Sequence, residues 1–206
     1  MAYVFDPDVL GELAKRGVDK PVEEAFDAVT AGLAERYPGH IYDGPRRWVM
    51  NNAGGAMGQL TLLHASLKEY LILFGTPIGT EGHSGRYPTD VYDWVFHGEM
   101  WTYIEGEAER TVNTPGTTAY LPADKVKGYR IPEKAWMLEY ARGFIPSMLP
   151  FGLADTMLST LDLKCFARTV THYGQLTATE LLGDLERKLP GSVKALPLGL
   201  KGLLAP

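Results

Sequence analysis

The chain has 206 residues, of which 45% are hydrophobic and 22% charged, and its formal net charge is -5. This composition is ordinary for a globular protein, and we expect one domain spanning residues 1–206. The charge excludes a nucleic-acid binder, since the densest basic groups are residues 46–47 and the pair Lys125 and Lys127, which we interpret as solvated surface. The single cysteine, Cys165, excludes an intramolecular disulfide and a cysteine-based zinc site, and we expect it to be a buried spectator.

The sequence offers no segment that would cross a membrane. The N-terminus lacks a basic patch followed by an apolar core, so neither a signal peptide nor a signal anchor is expected. No run approaches the roughly 18 apolar residues that span a bilayer. The longest stretch with few charges, residues 143–154, contains Pro146 and Pro150, and we expect it to lie in a membrane interface or to cap a pocket.

Two helices are predicted in an N-terminal segment covering residues 1–45. Asp6 followed by Pro7 is typical of a helix start, and Gly17 is placed to end this first helix. From Pro21 onward, apolar residues recur at helical spacing until residues 37–39 break the pattern.

Short β-rich runs punctuated by glycine follow from residue 46 to residue 142. The predicted strands are 48–50, 60–64, 70–74, 94–104, 117–121 and 136–140. Strands at this spacing are typical of a barrel or sandwich. The glycines of residues 52–58 are interpreted as tight corners rather than a phosphate loop, because no Gly-Lys-Ser/Thr follows. Helical periodicity returns over residues 143–190, and residues 191–206 are expected to form a tail.

A single carboxylate lies in the last predicted strand. The alternation of a strand puts Glu139 on one face with Met137 and Ala141, and residues 136, 138 and 140 on the other. Desolvation would raise the pKa of Glu139 and favour its protonated form. A protonated acid beside an apolar segment indicates acid chemistry on an apolar substrate. Two plainer alternatives are a solvent-facing edge residue and a structural acid paired with Arg142.

Several ordered motifs between residues 48 and 182 resemble one known family. They are residues 52–58 (NAGGAMG), 63–66 (LHAS), 69–70 (EY), 74–76 (FGT), 82–87 (GHSGRY) and 138–162. Together they resemble the family of fungal sterol Δ8-Δ7 isomerases and type-1 sigma receptors. Residues 145–152 (IPSMLPFG) with 159–162 (STLD) resemble the isomerase branch, whereas residues 83–87 (HSGRY) resemble the receptor branch.

The resemblance implies a fold and a setting. The implied fold is mainly β: a cupin-like β-barrel over residues 46–142 encloses an apolar pocket, and two C-terminal helices over residues 143–190 cover it. The outer surface of these helices would rest on a membrane, often in a homotrimer. The implied location is the endoplasmic reticulum membrane, peripheral or monotopic since no N-terminal transmembrane helix is present, or the cytoplasmic side of the membrane in a prokaryote.

The resemblance also implies an activity, that of a C-8 sterol isomerase in ergosterol-type sterol biosynthesis. Moving a ring double bond requires protonation of an alkene carbon, a tertiary carbocation and loss of an adjacent proton. No redox change occurs, so no cofactor is expected. The expected partners are a sterol and lipophilic amine inhibitors, whose ammonium mimics the cation. The alternatives are a non-catalytic sigma-type receptor for cationic amphiphilic amines or sterols, and a soluble sterol carrier.

Candidate site residues are those that stand at the positions of the family's functional residues. The resemblance implies that Glu139 and Asp93 face each other as the acid/base pair and that Tyr70 supports the glutamate. The expected substrate-binding residues are Tyr70, Phe74, Leu62, Trp136, Met148, Leu149 and Tyr173. Ala56 and Ile131 stand where the receptor has tryptophan, so receptor drug preferences are not carried over.

The remaining polar candidates are assigned supporting or structural roles. Asp90 is the rival to Asp93 as the partner of Glu139, and its alternative is an ion pair with Arg86 or Arg142 that braces the barrel mouth. Arg142 and His83 are the other supporting residues. No metal is expected, because His64, His83 and His97 are widely spaced and no His-x-His occurs.

Overall fold

The computed structural model describes residues 3–188, so the predicted tail over residues 191–206 lies outside the described residues. Within them the elements are α1 (Pro7–Ala14), α2 (Val22–Arg36), β1 (Val49–Ala53), β2 (Ala56–Ala65), β3 (Glu69–Thr76), β4 (Thr80–His83), β5 (Thr89–Gly98), β6 (Met100–Ile104), β7 (Thr111–Asn113), β8 (Thr118–Leu121), β9 (Lys127–Ile131), β10 (Ala135–Gly143), α3 (Leu149–Leu158) and α4 (Leu163–Lys188).

The two N-terminal helices are confirmed. The Asp6 carboxylate caps α1 by accepting a hydrogen bond from the Asp8 N–H at 2.9 Å, and a 3-10 turn extends the helix to Gly17. The apolar positions of α2, among them Phe26 and Leu33, are buried. Both helices therefore present an apolar stripe to the sheet, as their spacing predicts.

The strands form two antiparallel sheets. The larger has the order β1-β2-β3-β10-β5-β8, and the smaller has the order β4-β9-β6-β7. Among the described strands the ladders do not close into one ring, so the predicted barrel is built as two facing sheets. This mainly β arrangement with helices at both ends agrees with the fold class that the sequence predicts. β10 lies at the centre of the larger sheet, between β3 and β5.

Three short strands were not predicted from the sequence, and the predicted strand 94–104 is divided into two. β4 and β7 have four and three residues, several of them exposed or glycine, so they lack an apolar alternation, and β9 has only five residues and begins with a lysine. The run 94–104 is split at Gly98, whose φ of 73° breaks the strand. β5 before the break belongs to the larger sheet and β6 after it to the smaller, so this glycine carries the chain from one sheet to the other.

The glycine-rich segment at residues 52–58 is a tight corner, as predicted. β1 and β2 pair up to Ala53 and Ala56, and the two residues between them, Gly54 and Gly55, have φ of 61° and 85°. A two-residue hairpin of this kind needs positive φ at both positions, which only glycine adopts freely. The Gly54 carbonyl also accepts a hydrogen bond from the His83 N–H at 2.9 Å, which brings the smaller sheet against this corner.

The two faces of β10 pack into different cores. Trp136, Leu138 and Tyr140 join the cluster formed with the N-terminal helices, including Phe26 and Leu33. The opposite face, with Met137, belongs to the cluster between the two sheets. The strand alternation read from the sequence is therefore confirmed, and Glu139 lies on the inner face.

The C-terminal helices cover one end of the inter-sheet space. α3 packs against β1, and α4 packs against β2. Cys165 of α4 is buried, and its thiol donates to the Met50 carbonyl at 2.9 Å, as expected for a spectator.

Across residues 3–188, no helix combines the length and apolar character that crossing a bilayer requires.

Candidate active site

Three side chains of the larger sheet meet on its inner face. Glu139 of β10 lies directly opposite Asp93 of β5 in the ladder, so the two carboxyl groups are close enough to interact electrostatically. The Tyr70 hydroxyl of β3 donates to Oε1 of Glu139 at 2.5 Å. Because adjacent strands fix all three backbones, the cluster is positioned by the sheet itself and not by loops.

A fourth group, Lys127 of β9, reaches this cluster from the smaller sheet. Its ammonium donates to Oδ2 of Asp93, and the two side chains are only 8% and 3% exposed. The interpretation of Lys127 as solvated surface is therefore wrong, whereas Lys125 is exposed. The alternation of Lys127, Tyr129 and Ile131 was the available signal, since it places the lysine on the apolar face of a short strand.

The two carboxyl groups of the cluster have different surroundings, and those of Glu139 favour its protonated form at neutral pH. Burial raises the pKa of Glu139 to about 8, and the neighbouring Asp93 raises it too, while the Tyr70 hydrogen bond and Lys127 oppose the rise. The Lys127 ammonium compensates the charge of Asp93 directly. Burial, followed by the charge of Glu139, raises the pKa of Tyr70 well above its usual value, so Tyr70 remains a hydrogen-bond donor.

An apolar cavity lies between the sheets and borders this cluster. Its volume is about 220 Å³, many times the roughly 10–15 Å³ that one water molecule requires, so it has room for an organic ligand. The predicted residues that line it are Leu62, Tyr70, Phe74, Asp93, Glu139, His83, Met148, Leu149 and Tyr173. Phe151 and Leu153 of α3 and Val170 of α4 close one end, so the helices cover the cavity.

Several lining side chains have their polar atoms fixed by the protein. The Tyr173 hydroxyl donates to the Ser66 carbonyl at 2.9 Å, and Nδ1 of His83 accepts from the Gly85 N–H at 2.9 Å. The Thr89 hydroxyl contacts the Met148 sulfur at 3.4 Å. These groups therefore offer the cavity mainly their apolar surfaces, which leaves the acid cluster as its polar centre.

Trp136 does not line the cavity, so its assignment to substrate binding is wrong. Its ring packs edge-on against Phe26 at 5.1 Å and Trp48 at 5.5 Å, on the helix side of the larger sheet. The reason is the period of two in a strand, which places positions 136 and 139 on opposite faces.

Asp90 and Arg142 form a separate ion pair away from the acid cluster. Nε of Arg142 donates to Oδ2 of Asp90 at 3.2 Å, and the Tyr120 hydroxyl donates to Oδ1 at 2.9 Å. Although burial opposes ionisation, the bonds from Tyr120, the Ala123 N–H and Arg142 lower the pKa of Asp90. The structure thus places Asp93 opposite Glu139, and Asp90 pairs with Arg142, while Arg86 pairs with Glu105.

Two tyrosines that the sequence reading did not single out also line the cavity. Tyr87 follows β4, and Tyr129 belongs to β9. Burial first, and then the charge of Glu139, raises the pKa of both phenols, so both stay neutral. Their hydroxyl dipoles and ring faces add to the groups that can face a positive charge in the cavity.

The arrangement defines a class of protein: one with an apolar cavity around a protonated carboxyl, a carboxylate and a supporting phenol. Such a site can deliver a proton to a weakly basic ligand and hold the cation that results. Residues 1–185 match the family model described as ERG2 and Sigma1 receptor like protein. The chain therefore belongs to the ERG2 and sigma-1 receptor family.

Individual relatives come from both branches. The chain is 41% identical over 183 residues to the C-8 sterol isomerase erg2 of Aspergillus fumigatus, covering 87% of this chain and 77% of that protein. It is 44% identical over 172 residues to the Sigma non-opioid intracellular receptor 1 of Danio rerio, covering 83% and 78%. Among solved structures, KdgF from Halomonas sp. aligns with a TM-score of 0.44 at 15% identity, covering 53% of this chain and 98% of that chain.

Proposed function

We propose that this protein is a cofactor-independent sterol Δ8-Δ7 isomerase with Glu139 and Asp93 as its acid/base pair. The observation that carries the proposal is the position of the Glu139 carboxyl, which lines an apolar cavity, accepts a hydrogen bond from Tyr70 and has a pKa that burial raises to about 8. The family and its C-8 sterol isomerase members support the same reaction.

The first step is proton transfer from Glu139 to one carbon of the ring double bond. An alkene is a very weak base, so the donor must be a neutral acid that is kept dry until reaction. The new C–H bond takes the π electron pair, and the neighbouring ring carbon becomes a tertiary cation. Tyr70 supports this step because its hydrogen bond strengthens as Glu139 acquires negative charge.

The second step is loss of a proton from the carbon next to the cation. The electron pair of that C–H bond forms the new double bond, and a carboxylate of the Glu139–Asp93 pair takes the proton. The pair then again holds one proton, so no net charge is gained or lost. Because the two carboxyl groups interact, their titration belongs to the pair.

Lys127 acts in this scheme as a positioning residue. Its ammonium pairs with the Asp93 carboxylate, and burial raises the pKa of Glu139, so we assign the single proton of the pair to Glu139. Proton delivery then leaves two carboxylates and one ammonium around the cation, a net negative charge that stabilises it. Before proton delivery the same cluster is neutral, which favours a neutral sterol over a permanently charged quaternary ammonium. An amine can enter uncharged and take the Glu139 proton, so its ammonium then faces the same two carboxylates as the reaction cation.

The test is conversion of a Δ8 sterol. Purified protein in detergent is supplied with the Δ8 sterol, and the Δ7 product is separated and identified by gas chromatography with mass spectrometry. The proposal requires the Δ7 sterol to accumulate without added cofactor. Saturable binding of a lipophilic amine with no Δ7 product would favour the sigma-type receptor instead.

We also propose that the corner between α3 and α4 rests on a membrane. Leu158, Leu161 and Leu163 are 80%, 69% and 64% exposed there, and Met157 is exposed beside them. Large apolar side chains clustered at one corner are typical of a membrane or protein contact. Leu149 and Leu153, nearer the start of α3, line the cavity.

The endoplasmic reticulum membrane and the homotrimer belong to the same proposal and rest on the family resemblance. Flotation with liposomes tests the membrane contact. The wild-type protein should float with the liposomes, and a Leu158→Ser, Leu161→Ser double variant should no longer do so. Light scattering after gel filtration tests the trimer.

A further inference from the structure

We propose that His40, His64 and Glu180 form a binding site for a divalent metal ion of the zinc type, outside the sterol cavity. One ring nitrogen of each histidine and a carboxylate oxygen of Glu180 lie within 4.8 Å of one another. None of the three lines the apolar cavity. The site is therefore independent of the proposed acid chemistry.

The three ligands come from three different parts of the fold. His40 lies in the loop after α2, His64 in β2, and Glu180 in α4. His64 and Glu180 are buried, and His40 is partly exposed. Both carboxylate oxygens of Glu180 lie 3.1 Å from Nδ1 of His40. A bound ion would therefore tie the C-terminal helix to the sheet and to the N-terminal helical segment.

The hydrogen bonding of His64 prepares it to be a ligand. Its Nδ1 lies 2.8 Å from the His40 carbonyl, which accepts only, so Nδ1 carries the proton. Nε2 is then left with a free lone pair, and it is buried with no hydrogen-bond partner among the described residues. A buried nitrogen without a partner is costly in an ordinary core. Metal-bound histidines show this same pattern, with the second nitrogen donating to a backbone carbonyl.

The donor set selects the kind of ion. Two imidazole nitrogens and one carboxylate oxygen suit zinc and its neighbours in the first transition row, and they leave a coordination position for water. Magnesium and calcium prefer oxygen donors throughout. A shallow surface depression lined by His40, Tyr37 and Asp184 gives solvent a route to the cluster. An ion could thus enter without opening the core.

Zinc binding to the full-length chain tests the proposal. Protein stripped with a chelator is titrated with zinc chloride in competition with a chromophoric chelator, and its melting temperature is followed in parallel. We expect one zinc per chain and a melting temperature that rises with zinc concentration, because an ion that binds only the folded chain stabilises it.

The variants His40→Gln and Glu180→Gln should each weaken zinc binding by at least roughly 100-fold, since even outer partners of zinc ligands are worth about 10- to 100-fold. His172→Gln is the matched control: His172 is also buried on α4 with an unpartnered Nε2, but it is not part of the cluster. It should bind zinc as the wild type does.

Two outcomes would overturn the proposal. One is a wild-type chain that binds no zinc under these conditions. The other is zinc binding that is equally strong in His40→Gln, Glu180→Gln and His172→Gln. Circular dichroism checks that each variant is folded, and zinc affinities are compared only among variants with the wild-type spectrum. Cobalt(II) supplies a second readout, since its visible spectrum changes when a nitrogen ligand is lost.

Discussion

The ammonium of Lys127 lies against the carboxylate of Asp93, and Asp93 faces Glu139 across the central ladder of the larger sheet. The pocket thus holds one positive group, one negative group and one acid that is neutral at physiological pH. This balance favours a neutral ligand whose charge appears only during reaction. It also links the smaller sheet to the chemistry, because Lys127 is the residue of β9 that reaches the acid pair.

Lys127→Met should increase the affinity for a cationic ligand. The change removes the positive charge from the neutral cluster and leaves a net negative charge on the Asp93–Glu139 pair. A long-chain quaternary ammonium should therefore bind roughly 10-fold or more tightly, since a desolvated charge pair is worth at least about 1.5 kcal/mol. Isothermal titration calorimetry at neutral pH measures the dissociation constant without titrating the ligand.

Lys125→Met is the matched control for this prediction. Lys125 is exposed two residues before Lys127, so its removal changes the net charge equally but not the charge of the cavity. It should leave ammonium affinity unchanged, and neither variant should alter binding of a neutral sterol much. Weaker ammonium binding by Lys127→Met would contradict the charge balance described above.

Glu139→Gln should abolish isomerisation while preserving the fold. Glutamine keeps the shape and can still accept from Tyr70, but it cannot deliver a proton to an alkene. Loss of an essential proton donor typically costs at least about 100-fold in rate. The measurement is Δ7 sterol formed per unit time, with circular dichroism as the check on folding. Turnover at the wild-type rate would remove Glu139 from the mechanism.

Asp90→Asn is the control for the acid pair. Asp90 lies on the same strand as Asp93 but bonds to Arg142 and Tyr120 rather than to Glu139. The ion pair is partly exposed, so its loss should lower the free energy of unfolding by up to about 1 kcal/mol. Isomerase activity and its pH profile should be unchanged.

The alternation of β10 was readable from the sequence because residues 135–141 are apolar or aromatic on both faces except for one acid. The same pattern places Glu139 on the inner face and Trp136 on the opposite face, outside the cavity. Lys127 was not found because it lies in a five-residue strand beside an exposed lysine, where local sequence favours a surface turn. Only the pairing of β9 with β4 and β6 buries it.

The cluster of His40, His64 and Glu180 depends on tertiary contacts that have no local signature, since His40 and Glu180 are 140 residues apart in the chain. The ion pair of Asp90 and Arg142, 52 residues apart, was one of the alternatives that the sequence offered. Sequence rules for metal ligands depend on short spacings between the ligands. They therefore do not detect a cluster whose members come from a loop, a strand and a helix. By contrast, the helix start at Asp6 and the Gly54-Gly55 corner are set by local backbone chemistry and were predicted.

Trp136→Leu should destabilise the fold without affecting sterol binding. The indole fills the space between the larger sheet and the N-terminal helices, against Phe26 and Trp48. Its truncation should lower the free energy of unfolding by about 2–4 kcal/mol. Chemical denaturation measures this loss, and the KM for sterol should stay at the wild-type value. Phe74→Ala, at a cavity-lining position, should instead raise the KM, and a raised KM in Trp136→Leu would contradict its placement.

Tyr70→Phe should shift the pH dependence of activity as well as its magnitude. The wild-type rate should fall as pH rises through about 8, because Glu139 then loses the proton that it must deliver. The Tyr70 hydrogen bond lowers the pKa of Glu139, so its removal raises that pKa and moves the basic limb to higher pH. At neutral pH kcat should fall roughly 10- to 100-fold, as expected from losing a hydrogen bond to a charged group worth about 1.5–3 kcal/mol. Rates measured from pH 6 to pH 10 check both effects, and a limb that moves to lower pH would show that Tyr70 does not act on Glu139.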